Sequence, residues 1–198
     1  MGAGKTALAT KLAGSLGSVA LLEPVGGNPF LEPFFKEPSK YAFQAQVFFA
    51  LSRHQALQPL RQGDLFSPGT VTDFMLERER VFSALHLGPH ELVLYERIYQ
   101  VVKNQAPAPD LVIYLQARPE VLLERMRRRD PPQKPRVTLK ELEDLCRVYN
   151  DFFFHYESTP LIVVNTSDVD VAANDDQVGH LAREVLRPRA GSRHYIPR

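Results

Sequence analysis

The chain has 198 residues, 44% of them hydrophobic and 24% charged. That length fits one domain of roughly 100–200 residues, and the apolar fraction supports a buried core, which excludes disorder of the whole chain. Lys and Arg number 24 against 23 Asp and Glu, a net charge of +1; that balance gives no electrostatic footprint for general nucleic-acid binding. The one cysteine, Cys146, has no internal partner, which fits a reducing, cytoplasmic setting. The longest apolar stretches, Val47–Leu51 and Leu111–Leu115, fall far short of the ~20 residues that a membrane helix needs. Met1–Thr6 lacks the apolar region of a signal peptide. The expectation is a soluble cytoplasmic protein with neither nucleic acid nor membrane as partner.

Gly2-Ala3-Gly4-Lys5-Thr6 opens the chain and leads into a helical pattern over Thr6–Leu16. This is the latter part of the G-x-x-x-x-G-K-[ST] phosphate loop. Its glycines let backbone N–H groups curl around a phosphate, and the helix N-terminus adds positive dipole. Lys5 would reach the outer phosphates, and Thr6 would hold Mg²⁺. The first glycine of the pattern falls just before Met1, as does the strand that should feed the loop. Met1 therefore reads as an internal methionine, and residues upstream are expected to supply a central strand.

Val19–Glu23 reads as a short buried strand. Glu23 stands at its carboxyl end, where open α/β sheets bind their ligands and where a carboxylate can take a proton from a hydroxyl. A long apolar helix follows over Tyr41–Leu60, carrying Gln44, Gln46 and Arg53. Buried glutamine and arginine need partners, so these groups suggest either a pocket that reads the edge of a base, with Phe43 or Phe48 as stacking walls, or polar residues that face water while the phenylalanines fill the core. Thr70–Phe74 is the next strand. Asp73 at its end suits the Mg²⁺ shell of a phosphoryl transferase. In Glu77-Arg78-Glu79-Arg80 most side chains read as a solvated helix face, with Glu79 and Arg80 set apart from it.

Helices are predicted over Leu76–Leu87, Glu91–Asn104, Pro119–Arg129 and Thr138–Tyr156, and strands over Leu111–Gln116 and Leu161–Asn165. Strands alternating with helices imply a parallel sheet covered on both faces. His86 and His90 are four apart, but Gly88-Pro89 interrupts any helix between them, so they are assigned no metal. Arg125, Arg127, Arg128 and Arg129 end a helix before the loop Pro131-Pro132-Gln133-Lys134-Pro135. Cations there complement the helix dipole; an arginine cluster beside a loop also suits a lid over about residues 125–137 that closes on a migrating phosphoryl group, with Arg125 and Arg129 its leading candidates. One domain is expected over residues 1–186, followed by a frayed basic tail over 187–198.

Taken in order, GAGKT, LLEPV, NPFLEPFF, YAFQAQVFFALSR, GDLFSPGTVTDFML, ELVLYERIYQ, PDLVIYLQARPEVLLERMRRRD and PLIVVNT resemble the deoxynucleoside kinase family, in particular its small bacterial branch acting on deoxyadenosine or deoxyguanosine. The resemblance implies a P-loop kinase fold, normally a five-stranded parallel sheet flanked by helices. It implies phosphorylation of a deoxynucleoside 5′-hydroxyl by ATP or another nucleoside triphosphate with Mg²⁺, in nucleotide salvage, by a homodimer. By similarity Glu23 is the general base, and Gly2, Ala3, Gly4, Lys5 and Thr6 hold the donor phosphates. Thr6 and Asp73 serve the metal, and Arg125 and Arg129 are lid arginines with a catalytic part. Phe35, Gln46 or Gln44, Arg53, Asp73 and Glu79 line the substrate.

The sequence departs from the family pattern at several points. Phe74 replaces the arginine after the acidic residue, Phe35 replaces the tyrosine that holds the sugar 3′-hydroxyl, the lid glutamate falls on Lys134 or Gln133, and the second lid arginine falls on Pro131. Two other readings stay open from the residues alone. One is a thymidylate-like kinase of nucleoside monophosphates, and the other a degenerate, non-catalytic nucleotide-binding module.

Overall fold

In a computed structural model the described residues are 2–24, 26–62, 69–129, 137–187 and 191–197. Eight helices and five strands lie among them: α1 (Lys5–Leu16), β1 (Val19–Leu21), α2 (Leu31–Lys36), α3 (Pro38–Leu57), β2 (Thr70–Thr72), α4 (Glu77–His86), α5 (Pro89–Asn104), β3 (Val112–Gln116), α6 (Pro119–Arg129), α7 (Leu139–Phe154), β4 (Leu161–Asn165), α8 (Asp175–Leu186) and β5 (Ser192–Tyr195). The single body expected over residues 1–186 is composed of two compact units interleaved along the chain. One comprises Met1–Ala20, Pro68–Val71 and Pro109–Arg198, the other Leu21–Ser67 and Thr72–Ala108.

The first unit is built on a parallel sheet in the order β3-β4-β5. Val112 to Gln116 lie opposite Leu161 to Asn165, and Leu161 to Val164 lie opposite Ser192 to Tyr195. The central strand is the purely apolar Leu-Ile-Val-Val, buried throughout, as a strand covered on both faces must be. Ile162 and Val164 pack with Leu8 of α1 and with Val178 and Leu181 of α8. Each such side chain contributes roughly 1.5–3 kcal/mol by leaving water.

Helix starts in this unit are encoded locally. Thr138 Oγ1 accepts from the Glu141 backbone N–H at 3.2 Å, and Glu141 Oε2 accepts from the Thr138 N–H at 2.7 Å, a reciprocal cap that starts α7. Asn174 Oδ1 accepts from the N–H groups of Asp176 and Gln177 at the head of α8.

The second unit is helical. Ala50 and Leu57 of α3, Phe74 and Leu76, and Tyr95, Tyr99 and Val102 of α5 share one core; Phe34, Ala42 and Ala45 form a smaller one. β1 pairs with β2.

Three elements depart from the sequence reading, the short helix α2 (Leu31–Lys36) among them. The expected frayed tail contains β5, which extends the parallel sheet, and Tyr195 donates a 3.2 Å hydrogen bond to Gln177 of α8. Ser-Arg-His-Tyr is a polar edge strand, so it lacks the apolar run that marks a buried one. α8 was likewise not predicted, although its buried Val178, Leu181 and Ala182 keep helical spacing.

Ending the chain at Arg187 should therefore destabilise it. Lost ladder bonds and Tyr195 packing are worth about 1–3 kcal/mol, and each kcal/mol shifts the melting midpoint by about 2–4 °C at this size. A thermal melt with an unchanged midpoint would show that β5 contributes nothing.

Candidate active site

Two groups of residues carry the candidate chemistry, one in each unit. In the first unit, Gly2 and Gly4 both have left-handed backbone, with φ of 69° and 80°. Gly4 caps α1, and its carbonyl accepts from the Leu8 N–H at 2.9 Å. A Cβ at Gly2 would stand 2.8 Å from the Leu122 carbonyl oxygen and 3.1 Å from Met126 Cγ. Only glycine lets the loop lie this close to α6. Ala3 packs with Leu122, Met126 and Leu142, which fixes the loop on the helix. Lys5 is half-buried and Thr6 exposed in the first turn of α1. Positive dipole, backbone N–H groups and Lys5 thus meet in one turn, the donor set that phosphate requires.

Arg125 extends from α6 to the carboxyl end of the sheet. Its Nη2 donates to the Thr166 carbonyl at 2.6 Å and its Nη1 to Thr166 Oγ1 at 3.4 Å; the Thr166 N–H in turn donates to the Gln116 carbonyl at 2.7 Å. The predicted lid arginine thus ties α6 to the ends of β3 and β4. Arg129 lies exposed at the end of α6. The remaining lid positions, Pro131, Gln133 and Lys134 among them, lie outside the described residues.

In the second unit, Glu23 follows β1 with its side chain 16% exposed. Its backbone N–H donates to Asp73 Oδ1 at 2.6 Å, which ties the segment after β1 to the residue after β2. Glu23 Oε1 accepts a close, charge-assisted bond from Arg53 Nη2 of α3. Arg53 is 2% exposed and lies over the Phe49 ring, 5.1 Å from its centroid. Glu23 Oε2 faces Arg78 Nη1 at 3.7 Å. The Glu23 carboxylate thus lies between two guanidinium groups that balance its charge.

The glutamines separate cleanly. Gln46 is 2% exposed, and its Oε1 accepts no hydrogen bond among the described residues; Gln44 lies on the exposed side of α3. Phe43 packs into the core of this unit, and Phe48 is half-buried. Phe35 on α2 is 39% exposed, with its ring 5.6 Å from that of Phe34. Phe74 is buried core.

On α4 the two arginines face different acidic partners. Arg80 donates to Glu96 at 2.8 Å and lies 5.5 Å from the Tyr99 ring centroid, whereas Arg78, assigned to a solvated face, turns to Glu23. Glu79 falls within α4, and its side chain lies outside what is described. The one available signal for Arg78 is its place in the first turn of a helix, where a cation opposes the dipole.

A glycine-rich loop at a helix head beside a parallel sheet is the arrangement of α/β folds that bind phosphate. A model of the deoxynucleoside kinase family matches residues 1–187, and the chain belongs to that family. It is an enzyme that phosphorylates deoxynucleosides. The deoxyguanosine kinase of Bacillus subtilis is 30% identical over 176 residues, covering 86% of this chain and 83% of that protein. The deoxyadenosine kinase of Dictyostelium discoideum is 32% identical over 174 residues, covering 85% and 70%. The same fold recurs in the structure of deoxyadenosine kinase from M. mycoides with bound dATP. Its TM-score is 0.75 at 21% identity, over 94% of this chain and 95% of that one. No helix among the described residues is long and apolar enough to cross a membrane.

Gly2→Ala tests the loop's seat against α6. A non-glycine residue in left-handed backbone costs about 1–2 kcal/mol, and the 2.8 Å approach to the Leu122 carbonyl adds to that. Gly14→Ala within α1, with nothing within 4 Å of its Cβ, should instead stabilise by about 0.5–1 kcal/mol. Denaturant unfolding of both variants checks the contrast; equal effects would contradict it.

Proposed function

We propose that this kinase transfers the γ-phosphoryl group of ATP, or of another nucleoside triphosphate, to the 5′-hydroxyl of a purine deoxynucleoside in nucleotide salvage. The observation that carries the reading is the Glu23 carboxylate at a strand end, bonded to buried Arg53 and faced by Arg78. Nearly all of the catalysis in such transfers is positioning and charge neutralisation. Gly2, Ala3, Gly4, Lys5 and Thr6 hold the donor phosphates. Mg²⁺ takes oxygen ligands; the Thr6 hydroxyl in the first unit and the Asp73 carboxylate in the second are the candidate ligands, and the ion would supply charge neutralisation on the donor phosphates. Glu23 orients the 5′-hydroxyl and takes its proton. Arg125 and Arg129 neutralise charge on the migrating group. The proposal extends to a cytoplasmic homodimer, as the family resemblance implies.

Two features support a purine deoxynucleoside. The relatives named above are deoxyguanosine and deoxyadenosine kinases, and Gln46 is a buried amide with an acceptor oxygen suited to a purine's exocyclic amine. Of the two glutamines, Gln46 is thus the one we assign to the base. Arg53 is committed to Glu23, which speaks against its binding an acceptor phosphate, as a nucleoside monophosphate kinase would require. Phe35 offers no hydroxyl to a sugar, so we expect weak discrimination against 2′,3′-dideoxy substrates.

Glu23→Gln keeps size and hydrogen bonding but cannot take a proton. General-base catalysis is worth about 10²–10⁴-fold, and kcat should fall within that range while nucleotide binding, measured by calorimetry, stays near wild type. A fall of less than a few-fold would contradict the assignment. Phosphate transfer to a panel of nucleosides and monophosphates tests the substrate class. Deoxyadenosine or deoxyguanosine should lead, and transfer confined to monophosphates would overturn it.

A further inference from the structure

We infer that Arg78 is a positioning residue for the phosphoryl-transfer step, aiming Glu23 Oε2 as the proton-accepting oxygen; this rests on Glu23 being the base. The two carboxylate oxygens are held differently. Oε1 is bonded to Arg53, whose side chain is 3% exposed, so that oxygen is anchored. Oε2 lies 3.7 Å from Arg78 Nη1, beyond the range of a direct hydrogen bond between them, which suits this oxygen to an incoming hydroxyl. Arg53 therefore anchors the carboxylate, and Arg78 biases its rotation by charge.

The cost of placing Arg78 there points the same way. Arg78 is the second residue of α4, and a cation in the first turn opposes the helix dipole. Its side chain is only 20% exposed, and its Nη1 is shielded from water. A surface arginine would turn outward and leave its charge in solvent. Two residues on, Arg80 does otherwise, with its side chain 48% exposed against Glu96. Glu23 is an acidic group that Arg78 faces at ion-pair distance. Asp73, bonded to the Glu23 N–H, completes a cluster of two carboxylates and two guanidiniums.

In the step itself, the substrate 5′-hydroxyl proton passes to Glu23 Oε2. The electron pair on the 5′-oxygen forms the new bond to the γ-phosphorus, and the bond from that phosphorus to the β–γ bridging oxygen breaks, its pair leaving with the nucleoside diphosphate. An off-axis carboxylate would still bind substrate but would accept the proton poorly. A misplacement of about 1 Å can cost ~10²-fold in rate.

The experiment is a double-mutant cycle on the full chain, with kcat, KM for the nucleoside and melting temperature measured for Glu23→Gln, Arg78→Met, Arg78→Lys and the pair Glu23→Gln/Arg78→Met. Arg78→Met should lower kcat about 10- to 100-fold with KM within about threefold, the signature of an interaction acting in the transition state. Arg78→Lys should recover part of that loss. In the Glu23→Gln background Arg78→Met should cost less than about twofold more, because no base remains to aim. A loss that persists in full in that background would overturn the proposal, as would an Arg78→Met enzyme with wild-type kcat. Should Arg78→Met melt early, Arg78→Gln, made alone and beside Glu23→Gln, decides: a lowered kcat that vanishes beside Glu23→Gln supports the role, and unchanged kcat overturns it. A near wild-type kcat for Glu23→Gln alone would instead sink the base assignment, and the role of Arg78 with it.

Discussion

The ion pair between Glu23 and Arg53 is the constraint around which the second unit is organised. A guanidinium at 2% exposure loses several kcal/mol of hydration, and only a well-placed carboxylate offsets that. The partner is the last residue of LLE at the end of a strand, so Arg53 has to lie where β1 delivers Glu23. α3 is thereby fixed against the strand end, and Phe49 beneath the guanidinium holds it flat. The bond from the Glu23 N–H to Asp73 carries the constraint to β2, and the approach of Arg78 carries it to α4. Breaking a buried pair of this kind by removing one member costs about 3–5 kcal/mol. The chemistry of the carboxylate and the stability of its surroundings are therefore coupled.

The first unit depends on backbone rather than on charge pairs. Gly2 and Gly4 set the curve of the phosphate loop, and Ala3 presses it into the apolar patch of Leu122 and Leu142. Helix α6 serves twice. One stretch of it seats the loop, and Arg125 on the same helix grips Thr166 at the end of β4. An arginine bonded to a backbone carbonyl is held in one rotamer; in the proposed reaction its charge would need no rearrangement. Its position at the carboxyl end of the parallel strands is where ligands of open α/β sheets bind.

Much of this was legible in the residues, and what was not has physical reasons. β3 and β4 stood out because strands covered on both faces are continuous apolar runs. β5 did not, because Ser-Arg-His-Tyr pairs with one neighbour and packs only Tyr195 against the core. The six-residue α2 is too short for periodicity to register. Within the site, Glu23 and Arg53 were visible as charges where apolar neighbours leave few reasons for them. Gln46 and Gln44 were not separable, since choosing between them requires knowing which side of α3 is buried, and an apolar helix with polar residues on both sides does not say. Arg78 was hidden by Glu-Arg-Glu-Arg, an alternation that also describes a solvated helix turn. Only the fold distinguishes the arginine that turns to Glu23 from the one that turns to Glu96.

The central claim, that the Glu23 carboxylate receives the proton of the substrate hydroxyl, has one most direct test. A crystal structure of the full chain with deoxyadenosine or deoxyguanosine and a non-hydrolysable nucleoside triphosphate would locate the 5′-oxygen. It should lie within about 2.6–3.2 Å of Glu23 Oε2, the reach of a general base, with Oε1 still bonded to Arg53. A 5′-oxygen held by another group, with Glu23 bonded only to its two arginines, would contradict the claim.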